Sequence, residues 1–182
     1  PMDYIPAIKA TVDMVDKVDP RELLSIKLFL ENRNPLDLTG LKISLQTDIP
    51  EFEKELSVDL PPLQKKTVEF SIVPNPYQQP KEYTLFFVFE RNGEMVKIIE
   101  QKIEVLSLMP PFEVISTEET KYLKTHKTLT VKNIGNVRNT QVVKEPVSLW
   151  SVLFTSSDGK MLVEEEQRYL TWEMSLGPGE TV

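Results

Sequence analysis

Apolar and polar residues alternate along most of this chain with a period of two. The stretch that begins at Leu24 reads Leu-Ser-Ile-Lys-Leu-Phe-Leu-Glu, so an extended backbone places its leucines and isoleucine on one face. This period indicates half-buried β-strands, because successive side chains of a strand point to opposite faces. Seven such strands are predicted in the first part of the chain, at 8–18, 24–31, 41–47, 52–60, 67–73, 83–90 and 95–106.

Asn92 and Gly93 stand between the last two of these segments. An Asn-Gly pair between two β runs predicts a type I′ hairpin turn, since both central residues of that turn need positive φ. Short strands that follow one another every 8 to 15 residues, roughly, are typical of an immunoglobulin-like β-sandwich. We therefore predict one such sandwich in the first part of the chain.

Two consecutive prolines, Pro110 and Pro111, interrupt the β pattern. Proline cannot donate to a strand ladder, and it stiffens a linker. The sequence therefore predicts a sandwich over 1–107, a linker over 108–111 and a second sandwich over 112–182, an all-β fold of two tandem immunoglobulin-like domains. The strands predicted in the second domain are 112–117, 128–132, 140–144, 147–155, 161–165 and 169–176, with a hairpin turn at 157–159.

The two halves repeat each other at two corners. A strand runs into Asn32 in the first half and into Asn133 in the second. Later, a leucine precedes a proline-containing turn at 60–62 and again at 176–179. Self-similarity of this kind indicates that the two domains share one topology.

The strands that follow these corners match at 67–68 and 181–182. About 40 residues follow this point in the first domain, so the second sandwich is expected to be truncated at its C-terminus by roughly three strands. A sheet that is open in this way presents unpaired edges, which invite pairing with another chain. A homodimer formed through the second domain is therefore one expectation.

Composition narrows the possible partners. Hydrophobic residues make up 40% and charged residues 27% of the chain, which is too apolar for disorder. Fourteen prolines against six glycines favour β structure over helix. The net charge of −7 argues against nucleic acid and against membrane contact by this segment. The absence of cysteine excludes disulfides and thiolate chemistry.

The titratable residues of the chain give little support for catalytic or metal-binding chemistry. His126 is the only histidine, so a histidine-based metal site or a Ser-His-Asp triad is not supported. Asp13, Asp16 and Asp19 recur at a spacing of three, whereas an EF-hand loop needs alternate positions and a central glycine. They are interpreted as a solvated strand end, with weak calcium binding together with Glu22 as the alternative.

Two glutamate clusters are interpreted as solvated surface. Residues 51, 53 and 55 alternate along one predicted strand face and suit an edge that resists aggregation. The run 164–166 suits an exposed loop. The glycines are scattered singly, so no phosphate-binding loop is present. The sequence therefore predicts no catalytic residue, no metal ligand and no cofactor.

Aromatic residues supply the candidate binding surface. Trp150, Val152 and Phe154 share one face of the predicted strand 147–155, whose other face is also apolar, so one face covers a second layer or forms an exposed patch. Tyr77 lies in a loop rich in proline and glutamine, with groups that sugar binding would use. We name these four residues as the candidate ligand or partner surface. Trp172 alternates with its apolar neighbours and is predicted to be core.

The second half also carries a motif that extends over its two corners. The pattern T-x-x-x-x-N-x-G-N, followed by W-x-x-x-L-x-P-G-E-x-V, resembles tandem immunoglobulin-like modules of prokaryotic, especially archaeal, cell-envelope proteins of the NEW3 and CARDB groups. The residues that carry it are Thr128, Asn133, Gly135, Asn136, Trp172, Leu176, Pro178, Gly179, Glu180 and Val182. The first half departs from it, with Asn34-Pro35 in place of Gly-Asn and no P-G-E.

This resemblance implies a non-catalytic structural or adhesive module outside the cell or in its envelope. Such modules belong to larger secreted or membrane-anchored proteins. The first alternative is a module that binds carbohydrate or protein at the cell surface, and the second is an accessory domain of an envelope enzyme. A Trp150 face that is both solvent-exposed and concave would favour the binding module, and a buried one would count against it.

Overall fold

The computed structural model describes residues 8–35 and 37–182, and nearly all of their regular structure is β. The chain divides into two compact units, 1–106 and 107–182. Each unit has its own sheets and its own hydrophobic core. The all-β prediction is thus confirmed, and each unit is described below by itself.

The first unit is a sandwich of two sheets. Its strands are β1 (Ile8–Asp13), β2 (Lys17–Val18), β3 (Leu24–Asn32), β4 (Leu38–Gln46), β5 (Lys54–Leu60), β6 (Lys65–Ile72), β7 (Glu82–Arg91) and β8 (Glu94–Val105). One sheet has the order β1-β3-β6, and the other has the order β2-β8-β7-β4-β5. Every pairing is antiparallel except the short β2–β8 contact.

Alternation places the core of the first unit between its sheets. Leu24, Ile26, Leu28 and Leu30 of β3 are all buried, while Phe29 between them is exposed. The same period holds in β7, whose inward Phe87 and Phe89 are among the largest fully buried side chains. Each inward side chain removes apolar surface from water at about 25 cal/mol per Å².

Two sequence expectations for the first unit need correction. The single strand expected at 8–18 is two strands, β1 and β2, separated by a bend. The strand expected at 52–60 begins later, because Pro50–Phe52 forms a 3-10 helix that buries Phe52. The predicted hairpin is present: Asn92 has φ 51° and Gly93 φ 81°, so both central residues are left-handed.

The second unit contains five strands and one short helix within its described residues. The strands are β9 (Glu113–Lys121), β10 (Lys124–Lys132), β11 (Asn139–Val147), β12 (Lys160–Glu164) and β13 (Gln167–Leu176), and the helix is α1 (Leu149–Phe154). Its sheets are β10-β9 and β11-β13-β12. Phe112, Val131, Val143 and Leu176 form the core between them.

The strand predicted at 147–155 is wrong, because its central residues form α1. Ser148 caps this helix: its side-chain oxygen accepts a hydrogen bond from the backbone N–H of Ser151. A serine in this role satisfies one of the free N–H groups of a first helical turn. The hairpin turn expected at 157–159 also lies elsewhere, at Glu165-Glu166 between β12 and β13, where both φ values are positive.

The repeat between the two units is visible in the hydrogen bonds of their corners. The amide of Asn32 donates to Leu60 O at 3.0 Å, and the amide of Asn133 donates to Leu176 O at 2.9 Å. The backbone N–H of Asn32 donates to Gln64 O, and that of Asn133 donates to Glu180 O. The matching of these corners in the sequence thus corresponds to matching geometry.

The strand pairing shows that the alignment of the two halves is wrong by two residues at one point. Glu31 pairs with Lys65 in the first unit, and Lys132 pairs with Thr181 in the second. Residues 181–182 are therefore equivalent to 65–66 rather than to 67–68. The second unit matches the first through β1, β3, β4, β5 and the first two residues of β6.

The turn of the β9–β10 hairpin stores backbone strain. Tyr122 and Leu123 have φ values of 48° and 69°, and both side chains are fully exposed. A left-handed conformation costs a bulky residue roughly 1–2 kcal/mol, and these side chains gain no burial to offset that cost.

We expect the double change Tyr122→Asn and Leu123→Gly to stabilise the second unit by about 1–2 kcal/mol, since Asn-Gly suits a type I′ turn. Urea unfolding followed by tryptophan fluorescence measures this, because both tryptophans lie in the second unit. Tyr122→Ser is the control and should leave the unfolding midpoint nearly unchanged. A lower midpoint for the double variant would show that the two side chains stabilise the turn.

Candidate functional site

The α1 helix carries the strongest candidate for a functional surface. Five of its six residues are apolar, in the order Leu-Trp-Ser-Val-Leu-Phe, yet none of the six is buried. Trp150 is 73% exposed and Phe154 86% exposed. Large apolar side chains grouped at this exposure mark an interaction surface more often than an ordinary protein exterior.

The exposed residues form one contiguous face. Trp150 and Phe154 are four residues apart on the helix, as are Leu149 and Leu153, and side chains at that spacing are neighbours. All four are more than half exposed. We call these four residues the α1 patch.

The hydroxyl groups beside the α1 patch are engaged within the helix itself. Ser148 and Ser151 share a hydrogen bond of 3.0 Å between their Oγ atoms, and Ser151 Oγ also donates to Ser148 O. Thr155 Oγ1 donates to Ser151 O. These groups stabilise a helix of less than two turns, which would otherwise be too short to be stable.

The four residues named from the sequence occupy different surroundings. Trp150 and Phe154 are exposed on α1, but Val152 is only half-exposed, so the shared face expected from strand alternation does not exist. Tyr77 belongs to the first unit and is half-buried. Its loop is closed by internal hydrogen bonds, among them Gln78 Nε2 to the Tyr83 hydroxyl and that hydroxyl to Gln79 O.

The carboxylates considered for metal binding are spread along the first unit. Asp13 ends β1, and Asp19 accepts hydrogen bonds from the Arg21 guanidinium at 2.8 and 3.1 Å. The side-chain hydrogen bond from Arg21 lowers the pKa of Asp19. No group of three or more metal-ligating side chains occurs in the part of the chain that the structure describes.

The remaining titratable candidates lie on exposed strands and turns. His126 is exposed on β10 opposite Glu119 of β9. Glu55 pairs with Lys42 at 2.9 Å across β4 and β5. Glu164 accepts hydrogen bonds from Lys144 Nζ at 2.7 and 2.8 Å. Glu55 is thus paired with a lysine of the adjacent strand, and Glu164 with a lysine of β11, which lies on the other side of β13.

Some solved protein structures are similar to part of this chain, at low sequence identity. No family model matches the chain. Searching curated proteins likewise gives no match. The solution structure of the CARDB domain of a Pyrococcus furiosus protein is similar over 56% of this chain and 96% of its own, at a TM-score of 0.47 and 16% identity. The crystal structure of that domain in complex with di-metal ions has a TM-score of 0.47 and 14% identity, over 56% of this chain and 90% of its own.

A β-glucosidase from Listeria innocua is similar over 55% of this chain, at a TM-score of 0.39 and 16% identity. The similar region is only 16% of the β-glucosidase chain. Similarity at this level does not extend to activity or ligands. Within the described residues, no helix has the length and apolar character that crossing a membrane requires.

An ion pair that the sequence pattern did not predict links the two sheets of the second unit. Lys127 of β10 pairs with Glu118 of β9 at 3.4 Å and with Glu145 of β11, and so connects the two sheets. The hydrogen bond to Glu145 raises the pKa of Lys127. The available signal was the alternation itself, since Thr125 and Lys127 occupy positions that continue the inward register of Leu129 and Val131.

Proposed function

We propose that this chain is a non-catalytic structural or adhesive module of a cell-envelope protein, and that it binds a partner protein through the α1 patch. The envelope location is supported by the resemblance of 128–182 to tandem envelope modules. The adhesive role is supported by one observation, the exposure of Trp150 and Phe154 on a helix whose apolar residues are not buried.

The energetics favour an interaction surface. An aromatic side chain of this kind buries 150–250 Å² when it is covered, so the two together offer roughly 300 Å² or more. At about 25 cal/mol per Å², covering them contributes on the order of 7 kcal/mol before the costs of association. Exposed aromatic residues that become buried in this way often dominate the energy of an interface.

The polar surroundings favour a protein partner over a carbohydrate. A sugar site combines an aromatic platform with groups that are available to bond sugar hydroxyls. The hydroxyls of Ser148, Ser151 and Thr155 instead bond each other and the helix backbone. An apolar patch beside hydroxyls that are already engaged suits an apolar groove of a protein, as when an exposed helix face enters such a groove.

The decisive variant is the double change Trp150→Ser and Phe154→Ser. We expect it to weaken binding to immobilised envelope extract of the source organism by at least tenfold, since loss of two aromatic contacts removes more than about 1.4 kcal/mol. Binding is measured as the concentration of purified chain at half-saturation. Thermal unfolding of the double variant shows whether the second unit remains folded.

The matched control removes equally exposed apolar side chains from the first unit. Val73 and Met95 are 74% and 63% exposed, and changing both to serine should leave binding unchanged. Protease treatment of the extract should abolish binding of the unaltered chain. Equal binding by all variants would contradict the proposal, and binding that survives protease but is competed by oligosaccharides would support carbohydrate recognition instead.

A further inference from the structure

Little of α1 is packed against the rest of the second unit. None of its six residues is buried, and its side-chain hydrogen bonds join Ser148, Ser151 and Thr155 to one another. The helix follows β11 after the single residue Ser148, and residues 155–159 connect it to β12. Since so short a helix is not stable by itself, its position depends on what holds these two connections.

The connection 155–159 is fastened to the indole of Trp172 on β13. The indole Nε1–H donates to Asp158 Oδ1 at 2.9 Å. A tryptophan N–H can only donate, and a carboxylate is a stronger acceptor than a neutral oxygen. The adjacent ladder is also reinforced, because Lys160 pairs with Thr171 and accepts a hydrogen bond from the Thr171 hydroxyl at 3.0 Å. The helix therefore ends only four residues before an anchored side chain.

Gly159 packs against the same indole ring. A Cβ atom at this position would lie 2.7 Å from Trp172 Cε2 and 2.8 Å from Cζ2. Non-bonded carbon atoms are best separated by about 3.5–4.0 Å, so a side chain here would displace the ring or the connection. The φ of Gly159 lies outside the left-handed region, so the close contact, and not the backbone conformation, requires glycine. We call the contacts of Asp158 and Gly159 with Trp172 the indole latch.

The latch corrects the prediction that Trp172 is a core residue. Trp172 pairs with Val143, which is buried in the core of the second unit, but Trp172 itself is only half-buried. Its indole instead contacts the connection that follows α1. The physical role of this tryptophan therefore includes holding that connection.

We propose that Asp158, Gly159 and Trp172 are positioning residues for the α1 patch, which they hold in one place on the sheet β11-β13-β12. The consequence for binding rests on the proposed function of the patch. A surface that is ordered in advance binds more tightly, because association then removes less conformational freedom. Opening the latch releases the C-terminal end of α1 and leaves the side chains of the patch chemically unchanged.

Three variants change the latch without changing the patch. Asp158→Ala removes the acceptor of the indole N–H, whereas Asp158→Asn keeps an acceptor oxygen. Gly159→Ala places a Cβ atom against the ring. Ser156→Ala, at an exposed position of the same connection, is the matched control. Asp158 is also exposed, so substitutions at these two positions should leave the unfolding midpoint of the second unit nearly unchanged.

The order of α1 is measured by backbone ¹⁵N relaxation of the full 182-residue chain. We expect order parameters at 150–155 of about 0.85 in the unaltered chain, falling below about 0.6 in Asp158→Ala and Gly159→Ala. Asp158→Asn and Ser156→Ala should keep the values of the unaltered chain. In a Trp172→Leu background, Gly159→Ala should have no further effect, because the ring that its methyl group meets is absent.

Binding of the same variants to immobilised envelope extract is measured as the half-saturating concentration. We expect Asp158→Ala and Gly159→Ala to raise this concentration about tenfold, and Asp158→Asn and Ser156→Ala to change it less than about twofold. Thermal unfolding is measured in parallel. A lower unfolding midpoint with unchanged binding of the folded chain would show that the latch serves stability alone, and it would overturn the proposal.

The outcomes distinguish this proposal from the proposed function of the patch. Unchanged order parameters in both Asp158→Ala and Gly159→Ala overturn the latch, whatever the binding. Loss of order with unchanged binding also overturns it when the double change Trp150→Ser and Phe154→Ser weakens binding. If that double change leaves binding unchanged, the proposed function fails, and the order parameters alone then support or overturn the latch.

Discussion

Replacing Asn133 by alanine is expected to destabilise the second unit by about 3–5 kcal/mol. The buried side-chain amide of Asn133 donates to Val137 O at 2.8 Å and to Leu176 O at 2.9 Å, and its oxygen accepts from Gly135 N–H at 2.9 Å. Alanine leaves these groups without partners, and each costs about 1–3 kcal/mol. Since small domains are stable by only 5–15 kcal/mol, roughly, much of the stability of this unit is lost.

The measurement is urea unfolding followed by tryptophan fluorescence. Asn133→Asp should be at least as destabilising, because a carboxylate keeps the acceptor but turns charge toward two carbonyl oxygens. Asn139→Ala is the control at a half-buried position, with an expected loss below about 1 kcal/mol. A loss below 1 kcal/mol for both Asn133 variants would show that water replaces the side chain at this corner.

The two matching corners could be found from the sequence because each has an asparagine at the end of a strand, where this residue type has a physical role. An asparagine at the end of a strand can satisfy both donors and acceptors of the turn that follows. Asn32 and Asn133 both do so, and each is followed by a turn whose amide bonds its side-chain oxygen. Matching these two positions revealed the internal repeat. The backbone hydrogen bonds of the strands then fixed the residue-by-residue alignment of the two units.

The helix α1 could not be found in the same way. A run of six residues that is almost wholly apolar fits a strand and a helix about equally well. It has too few polar residues to show whether the period is two or 3.6. The signals that favour the helix are local and weak: Ser148 at the N-cap and Ser151 one turn later. Pro146 also gave no signal for the helix, because β11 extends through it and ends at Val147.

The ion pair between Lys127 and Glu145 shows a further limit of pattern reading. Alternation places Lys127 on the inward face, but it does not say whether that face is closed. In the first unit the same positions hold Ile26 and Leu45 in a closed core. In the second unit they hold an ion pair, and the Lys127 side chain is exposed. The sequence repeat thus predicted the shared path of the backbone in the two units, but not which side chains are buried.

The first unit supplies the other large effect, at adjacent phenylalanines of β7. Phe87 is fully buried, whereas Phe86 is 40% exposed on the opposite face of the same strand. We expect Phe87→Ala to cost about 3–5 kcal/mol, because it removes contacts and leaves a cavity in a packed core. Phe86→Ala should cost less than about 1 kcal/mol, although the chemical change is identical.

This pair of variants tests the register of the sheet. A slip of one residue moves every side chain of a strand to the other face, so it would exchange the two effects. The first unit contains no tryptophan, so its unfolding is followed by near-ultraviolet circular dichroism of its tyrosines and by amide hydrogen exchange. Tryptophan fluorescence of the second unit should keep its midpoint in both variants. Equal losses at Phe86 and Phe87 would contradict the pairing of Phe87 with Ile99 and of Phe89 with Ile43 that builds this core.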